Sequence, residues 1–123
     1  MSLGPKGEKI AEAYLRSRRY QILERNWKVF SKGGRQIGEL DIIAKNKDGY
    51  VFVEVKSGNP AHIAFRPETK LYETQIRKIT RTARIWLGKR GALDQPWQID
   101  LIAVDFSKAP PEIRHYCHVT GDS

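Results

Sequence analysis

"GELDIIAKNKDGYVFVEVKSG", residues 38–58, decides how this chain is read. Two apolar runs, residues 36–45 and 50–57, flank "NKDG" at 46–49. Asp-Gly between apolar runs is a hairpin signal, and a four-residue connection is commonly built around a type I turn. Side chains alternate across a strand. Glu39, Asp41 and Ile43 are therefore expected on one face, with Leu40, Ile42 and Ala44 on the other. In the following strand Tyr50, Phe52, Glu54 and Lys56 share a face, opposite Val51, Val53 and Val55. Folding about the turn sets positions summing to about 95 against one another. Asp41 then faces Glu54, and Glu39 faces Lys56. Three carboxylates and a lysine sit inside two otherwise apolar strands, where isolated charges are costly to bury.

The flanking sequence supplies further elements. "GEKIAEAYLRSRR", residues 7–19, reads as a helix, since Ile10 and Tyr14, and Ala11 and Leu15, are four apart. Tyr20 to Phe30 reads as extended, and "SKGGR" at 31–35 as a turn. "SGNPAHIAFRPE", residues 57–68, is polar with two prolines and reads as a loop. From Glu68 to Gly88 the spacing of Tyr72, Ile76, Ile79, Ala83, Trp86 and Leu87 predicts the longest helix, ended by Gly88 or Gly91. "WQIDLIAVDF", residues 97–106, reads as a strand, broken by "APP" at 109–111, and "EIRHYCHV" as a short last strand. The order gives an α/β fold, a mixed β-sheet with flanking helices. One domain is expected over 1–123, with a flexible start at 1–6 and a tail at 107–123 that carries the short strand.

Composition narrows the class. Hydrophobic residues make up 40% and charged residues 29% of 123, a folded soluble balance rather than a disordered one. No apolar run approaches the ~20 residues that cross a bilayer, and "MSLGPKGEK" lacks a signal peptide's apolar core, so no membrane and a cytoplasmic location are expected. The formal charge of +8 is uneven: residues 6–35 and 66–90 each carry +6, residues 36–65 carry −1, and residues 91–123 carry −3. Two basic segments around an acidic centre suggest a polyanion partner, nucleic acid before anionic membrane, and by charge alone suggest equally a surface charged for solubility. The single cysteine, Cys117, excludes an internal disulfide and a Cys-rich zinc site. It reads as a half-buried filler sharing a strand face with His115, with no third partner in view. His115 and His118, three apart on a strand, face opposite ways and make a poor metal pair. His62 falls in the 57–68 loop.

Carboxylates facing across strands repel, and Lys56 offsets only one of them. Two arrangements resolve this. One is a cross-strand salt-bridge ladder on a solvated face. The other is a Mg²⁺ or Mn²⁺ ion held by Asp41, Glu54, the backbone carbonyl of Val55 and water. An acidic cluster in a basic chain, on strands apolar on both faces, favours the ion.

"GELDIIA…VFVEVKS" resembles the PD-(D/E)xK nuclease motif, in which an Asp on one strand is followed by Glu-x-Lys on the next. With "GEKIAEAYL", "YQILERNW", "RTARIWL" and "IDLIAV" in order, the chain resembles the YraN-type family of predicted endonucleases, which is similar to archaeal Holliday-junction resolvases. The resemblance spans roughly residues 7–105 and implies a restriction-endonuclease-like fold. It casts Asp41 and Glu54 as metal-binding acids, Lys56 as the catalytic lysine and Glu8 as an acid on the first helix beside the metal. Glu39 and Ser57 fit the pattern as supporting residues. Gln75 stands one residue out of step with the glutamine that related nucleases often carry. The implied activity is metal-dependent cleavage of DNA, including branched DNA, by a homodimer. Arg16, Arg18, Arg19, Arg25, Lys28, Arg35, Lys70, Arg77, Lys78, Arg81 and Arg84 are the cations expected to grip phosphates. Trp27 and Tyr20 could stack on bases, although core packing is the plainer use of both. The alternatives are a non-catalytic nucleic-acid-binding module with a degenerate site, and a protein-interaction scaffold.

Overall fold

A computed structural model of the chain describes residues 4–58 and 70–119, with side chains from 73 onward in the second segment. Its elements are α1 (Gly4–Ser17), β1 (Gln21–Phe30), β2 (Gln36–Asn46), β3 (Gly49–Gly58), α2 (Lys70–Arg90), β4 (Trp97–Asp105) and β5 (Glu112–Tyr116). The loop expected at 57–68 lies outside the described residues, with His62, apart from Ser57 and Gly58, which end β3. Strands lie in the order β1-β2-β3-β4-β5. β3 and β4 are parallel and every other neighbouring pair is antiparallel. This is the mixed sheet that the element order requires, and it is consistent with the restriction-endonuclease-like fold. The helix between β3 and β4 provides the long return that parallel strands need.

Both helices end where the backbone can turn left-handed. Gly91 follows α2 with φ of 70°, and Ala92 N–H and Gly91 N–H donate back to Leu87 and Gly88 carbonyls. That double bond pattern satisfies carbonyls the helix leaves open, and it makes Gly91 the stop. α1 ends the same way on Arg19, whose φ is also 70°. No helix among the described residues is long and apolar enough to cross a membrane.

Each sheet face carries one helix and one core. On the α2 face Ile43, Tyr50, Phe52 and Ile99 meet Ile79, Ala83, Trp86 and Leu87. On the α1 face Ile42, Ala44, Val51, Val53, Ile102 and Val104 meet Ala11 and Leu15. The parity expected for β3 holds: Tyr50 and Phe52 face α2, while Val51, Val53 and Val55 face α1. Trp27, Trp86 and Trp97 pack in or against the α2-side core and Tyr20 against the α1-side core. Core packing is thus where Trp27 and Tyr20 are spent.

β2 departs from its expected parity. Leu40 joins Ile43 on the α2 side, while Asp41 and Ile42 both border a groove beside α1. The alternation slips where Asn26 of β1, beside this stretch, takes φ of 49°. Asp41 therefore does not share a face with Ile43.

Gly38 fixes how closely α2 approaches. A Cβ there would lie 2.3 Å from Thr82 Oγ1 and 2.8 Å from its Cγ2, and Thr82 is buried. Gly38→Ala is expected to cost about 1–3 kcal/mol by overpacking. Thr82→Ala in that background should recover most of the loss. Urea unfolding of the two single variants and the double variant measures both numbers.

Candidate functional site

The hairpin register is the expected one at its turn end. Ile42 pairs with Val53, Ala44 with Val51 and Asn46 with Gly49. The β2–β3 ladder stops at Ile42 and Val53. Beyond it β2 continues beside β1 to Gln36, and β3 continues beside β4 to Gly58. The two strands diverge into a fork. Its first backbone donor is taken by a side chain, since Val55 N–H donates to Asp41 Oδ2 at 2.9 Å. An N–H and C=O of one residue leave a strand on the same side, so the Val55 carbonyl also turns toward the fork.

Glu54 and Lys56 flank Val55 and bring their side chains to the same opening. Glu54 lies within reach of the Asp41 charge, and Lys56 Nζ lies 3.6 Å from Glu54 Oε1. Burial pushes the Glu54 carboxyl up to about 7, and the Asp41 charge adds to the rise against the pull of Lys56. Burial also raises Asp41, opposed by the Val55 N–H. The pair thus holds a proton to higher pH than ordinary carboxylates do. One lysine at this separation does not neutralise two half-buried carboxylates.

α1 closes one side of the fork. A Cβ on Gly7 would lie 2.5 Å from Ser57 Cβ and 2.6 Å from its Oγ, so only a glycine lets the helix rest on β3 at that point. The next residue, Glu8, is thereby carried to Asp41. Its carboxyl is raised by burial and by the Asp41 charge, while a hydrogen bond from the Asn26 side chain opposes the rise. Asn26 is a site residue that sequence reading passed over. Its signal was residue type alone, since Asn tolerates the left-handed backbone that this position adopts.

The remaining predicted residues divide. Glu39 does not face Lys56. It lies beside Lys28 of β1, with Lys28 Nζ 3.7 Å from Glu39 Oε2, because β2 follows β1 rather than β3 below Ile42. Its charge still reaches Asp41 and Glu8 and raises both. Ser57 packs beneath Gly7. Gln75 is half-buried in the second turn of α2.

A groove of about 500 Å³ runs from Asp41 along α1, lined by Glu8, Lys9, Glu12, Arg16, Arg25 and Asn26 among others. Arg16 and Arg25 both bind Glu12, the latter through Nε at 2.6 Å, and Arg25 above all holds the Glu12 carboxyl down to about 2. Arg18 stacks over Tyr14, Arg77 lies 3.9 Å from Glu73, and Arg81 donates to the Ile37 carbonyl. Arg19, Arg35, Lys78 and Arg84 are exposed. The Lys70 side chain lies outside the described residues.

The donor set fits a hard divalent cation. Two neighbouring carboxyl groups hold a proton more tightly than usual, which a cation can replace, an acid on α1 stands beside them, and the ligands are oxygens.

Residues 7–104 match the family described as "Uncharacterised protein family UPF0102". A UPF0102 protein from Geobacter metallireducens is 40% identical over 114 residues, covering 93% of this chain and 88% of the relative. One from Clostridium acetobutylicum is 40% identical over 101 residues, covering 82% and 77%. One from Anaeromyxobacter dehalogenans is 30% identical over 115 residues, covering 94% and 81%.

The raised carboxylates give a pH signature. Folding holds a proton that the unfolded chain releases near pH 4.5, so metal-free stability falls as pH rises from there toward about 7. Glu12 and Asp100, shifted down, titrate below this window. Melting curves at pH 5 to 8 should show this fall in the wild type and a flatter profile in Glu54→Gln. Mn²⁺ should raise the melting temperature at pH 8 more than at pH 5, where protons compete for the same oxygens.

Proposed function

The chain belongs to the uncharacterised protein family UPF0102, and on that footing we propose that it is a Mg²⁺- or Mn²⁺-dependent endonuclease of the PD-(D/E)xK type, hydrolysing phosphodiester bonds in DNA. The observation that carries this reading is the fork itself. Asp41, Glu54 and Lys56 meet where two strands part, with Glu8 brought alongside and the Val55 carbonyl turned inward. A salt-bridge ladder would keep the strands paired and the charges matched one to one. Here the strands are open, and three carboxyl groups gather around one lysine.

Asp41, Glu54 and the Val55 carbonyl would hold the cation. When bound, the cation would polarise a phosphate oxygen and lower the pKa of water. Asp41 is fixed for this role by the Val55 N–H, which sets its rotamer before any ligand arrives. Lys56 presents a compact positive charge that orients the attacking water and balances charge building on the phosphorus oxygens. Water adds to phosphorus in line, the opposite P–O bond breaks, and the leaving oxygen takes a proton from solvent. Glu8, with its raised carboxyl, is placed to accept the water's proton.

Phosphates on either side of the cut would run along the groove beside α1, past Lys9, Arg16 and Arg25. These contacts supply affinity without base specificity and weaken with salt. Branched DNA and a homodimer, which lets two cuts be made symmetrically, complete the reading.

The test is cleavage of labelled duplex, flap and four-way substrates with Mn²⁺. Wild type should cut and chelator should stop it. Asp41→Ala should abolish cutting, and Lys56→Ala should slow it about 10²–10³-fold, the range for losing one preorganised electrostatic contact. Identical traces from wild type and Asp41→Ala would overturn the enzyme reading. Salt-dependent DNA binding without any cutting would leave the binding-module alternative standing.

A further inference from the structure

A second cluster lies outside the fork, on the β4–β5 side of the sheet. Asp100 pairs with Val53 in the β3–β4 ladder and is fully buried. His115 sits on β5, and Cys117 follows directly after it. One ligand atom from each of Asp100, His115 and Cys117 lies within 4.8 Å of the others. His115 Nε2 is 2.7 Å from Asp100 Oδ2, and Cys117 Sγ is 3.6 Å from the same nitrogen. Asp100 is thus the third partner that sequence reading did not find for Cys117 and His115. Cys117 is exposed rather than a half-buried filler.

Their supports leave one atom of each residue turned inward. Asp100 Oδ1 accepts from Gln98 Nε2 at 2.8 Å and from His118 N–H at 3.1 Å, leaving Oδ2 for the cluster. The Tyr14 hydroxyl is 3.0 Å from His115 Nδ1, which frees Nε2. The Tyr14 ring also meets His115 edge-on at 5.4 Å, fixing the imidazole plane. A histidine whose second nitrogen is engaged by an oxygen is the usual support for a metal ligand.

We propose that Asp100 Oδ2, His115 Nε2 and Cys117 Sγ form a zinc-binding site, with water or an added ligand in the fourth position. Tetrahedral zinc holds its ligands about 2.0–2.3 Å away, hence about 3.3–3.8 Å from one another. The cysteine–histidine separation already falls there, and Asp100 and His115, 2.7 Å apart, need to part by about 0.6 Å to reach it. The donor set, one thiolate, one imidazole and one carboxylate, suits Zn²⁺ rather than the hard ion of the fork. Charge is consistent too, since the thiolate and carboxylate together balance a divalent ion. Zinc displaces the thiol proton of its cysteine ligand on binding. The bound ion ties the five-residue edge strand β5 to buried β4, with Tyr14 joining α1 to the same point. The inference does not rest on the nuclease reading.

The chain has one cysteine, so a thiolate-to-cobalt charge-transfer band reports on this site alone. The reduced, metal-stripped chain is titrated with Co²⁺. The expected result is a near-ultraviolet band that saturates at one equivalent, collapses on adding Zn²⁺, and is lost in Cys117→Ser. Asp41→Ala should retain it, which separates this site from the fork. His115→Gln should weaken zinc binding more than tenfold, and Tyr14→Phe about 10–100-fold, as removal of a supporting partner does. Circular dichroism confirms that each variant is folded. Absence of the band at stoichiometric cobalt overturns the proposal. So does a band that folded His115→Gln and Tyr14→Phe leave unchanged.

Discussion

The hydrogen bond from Val55 N–H to Asp41 Oδ2 marks where a sheet becomes a site. A buried backbone donor must find an acceptor, and in a continuous hairpin it would find a carbonyl of the neighbouring strand. Here the ladder ends one pair earlier, at Ile42 and Val53, and a carboxylate takes the place of that carbonyl. The strands can then separate without leaving the donor unpaired. The same bond locks Asp41 in position, and the separation gives Glu54 and Lys56 a space to enter. Local backbone satisfaction, strand divergence and placement of charge are one event.

The rest of the fold holds that fork open in a fixed shape. β1 and β4 keep each diverging strand paired on its outer side. Thr82 of α2 rests on β2 at Gly38, and α1 rests on β3 through Gly7 and Ser57. The glycines act by allowing close approach rather than by flexibility. Because α1 rests on β3 at Gly7 and places Glu8 in the groove that Asp41 also lines, it sets the third carboxylate by helix geometry. The energetic result is a pocket that binds a proton more tightly than ordinary carboxylates do, and a cation is the natural replacement for that proton.

Much of this was legible in the sequence, for identifiable reasons. The strands on both sides of "NKDG" are strongly apolar, so their type, their turn and the register at Ile42 and Val53 followed from alternation and the turn alone. The order of six motifs pointed to a single family, and the match to UPF0102 over residues 7–104 agrees with that much and names no activity. Three features escaped. The parity of β2 slips between Leu40 and Ile42, beside the left-handed Asn26 on a different strand, and period-two counting sees one strand at a time. Glu39 was set against Lys56 by extending a register past the point where the strands part, and it lies by Lys28 instead. Asp100 reads as an ordinary polar interruption of an apolar strand. Its companions lie 15 and 17 positions further along, and only the β4–β5 pairing brings them together.

The central claim is that the fork is built around a divalent cation. A crystal of the wild-type chain soaked in Mn²⁺ and measured for anomalous scattering addresses it directly. The account predicts a peak between Asp41 and Glu54, about 2.0–2.3 Å from an oxygen of each, with the Val55 carbonyl among its neighbours. An empty fork at saturating Mn²⁺, with the two carboxylates turned apart into solvent, would contradict it.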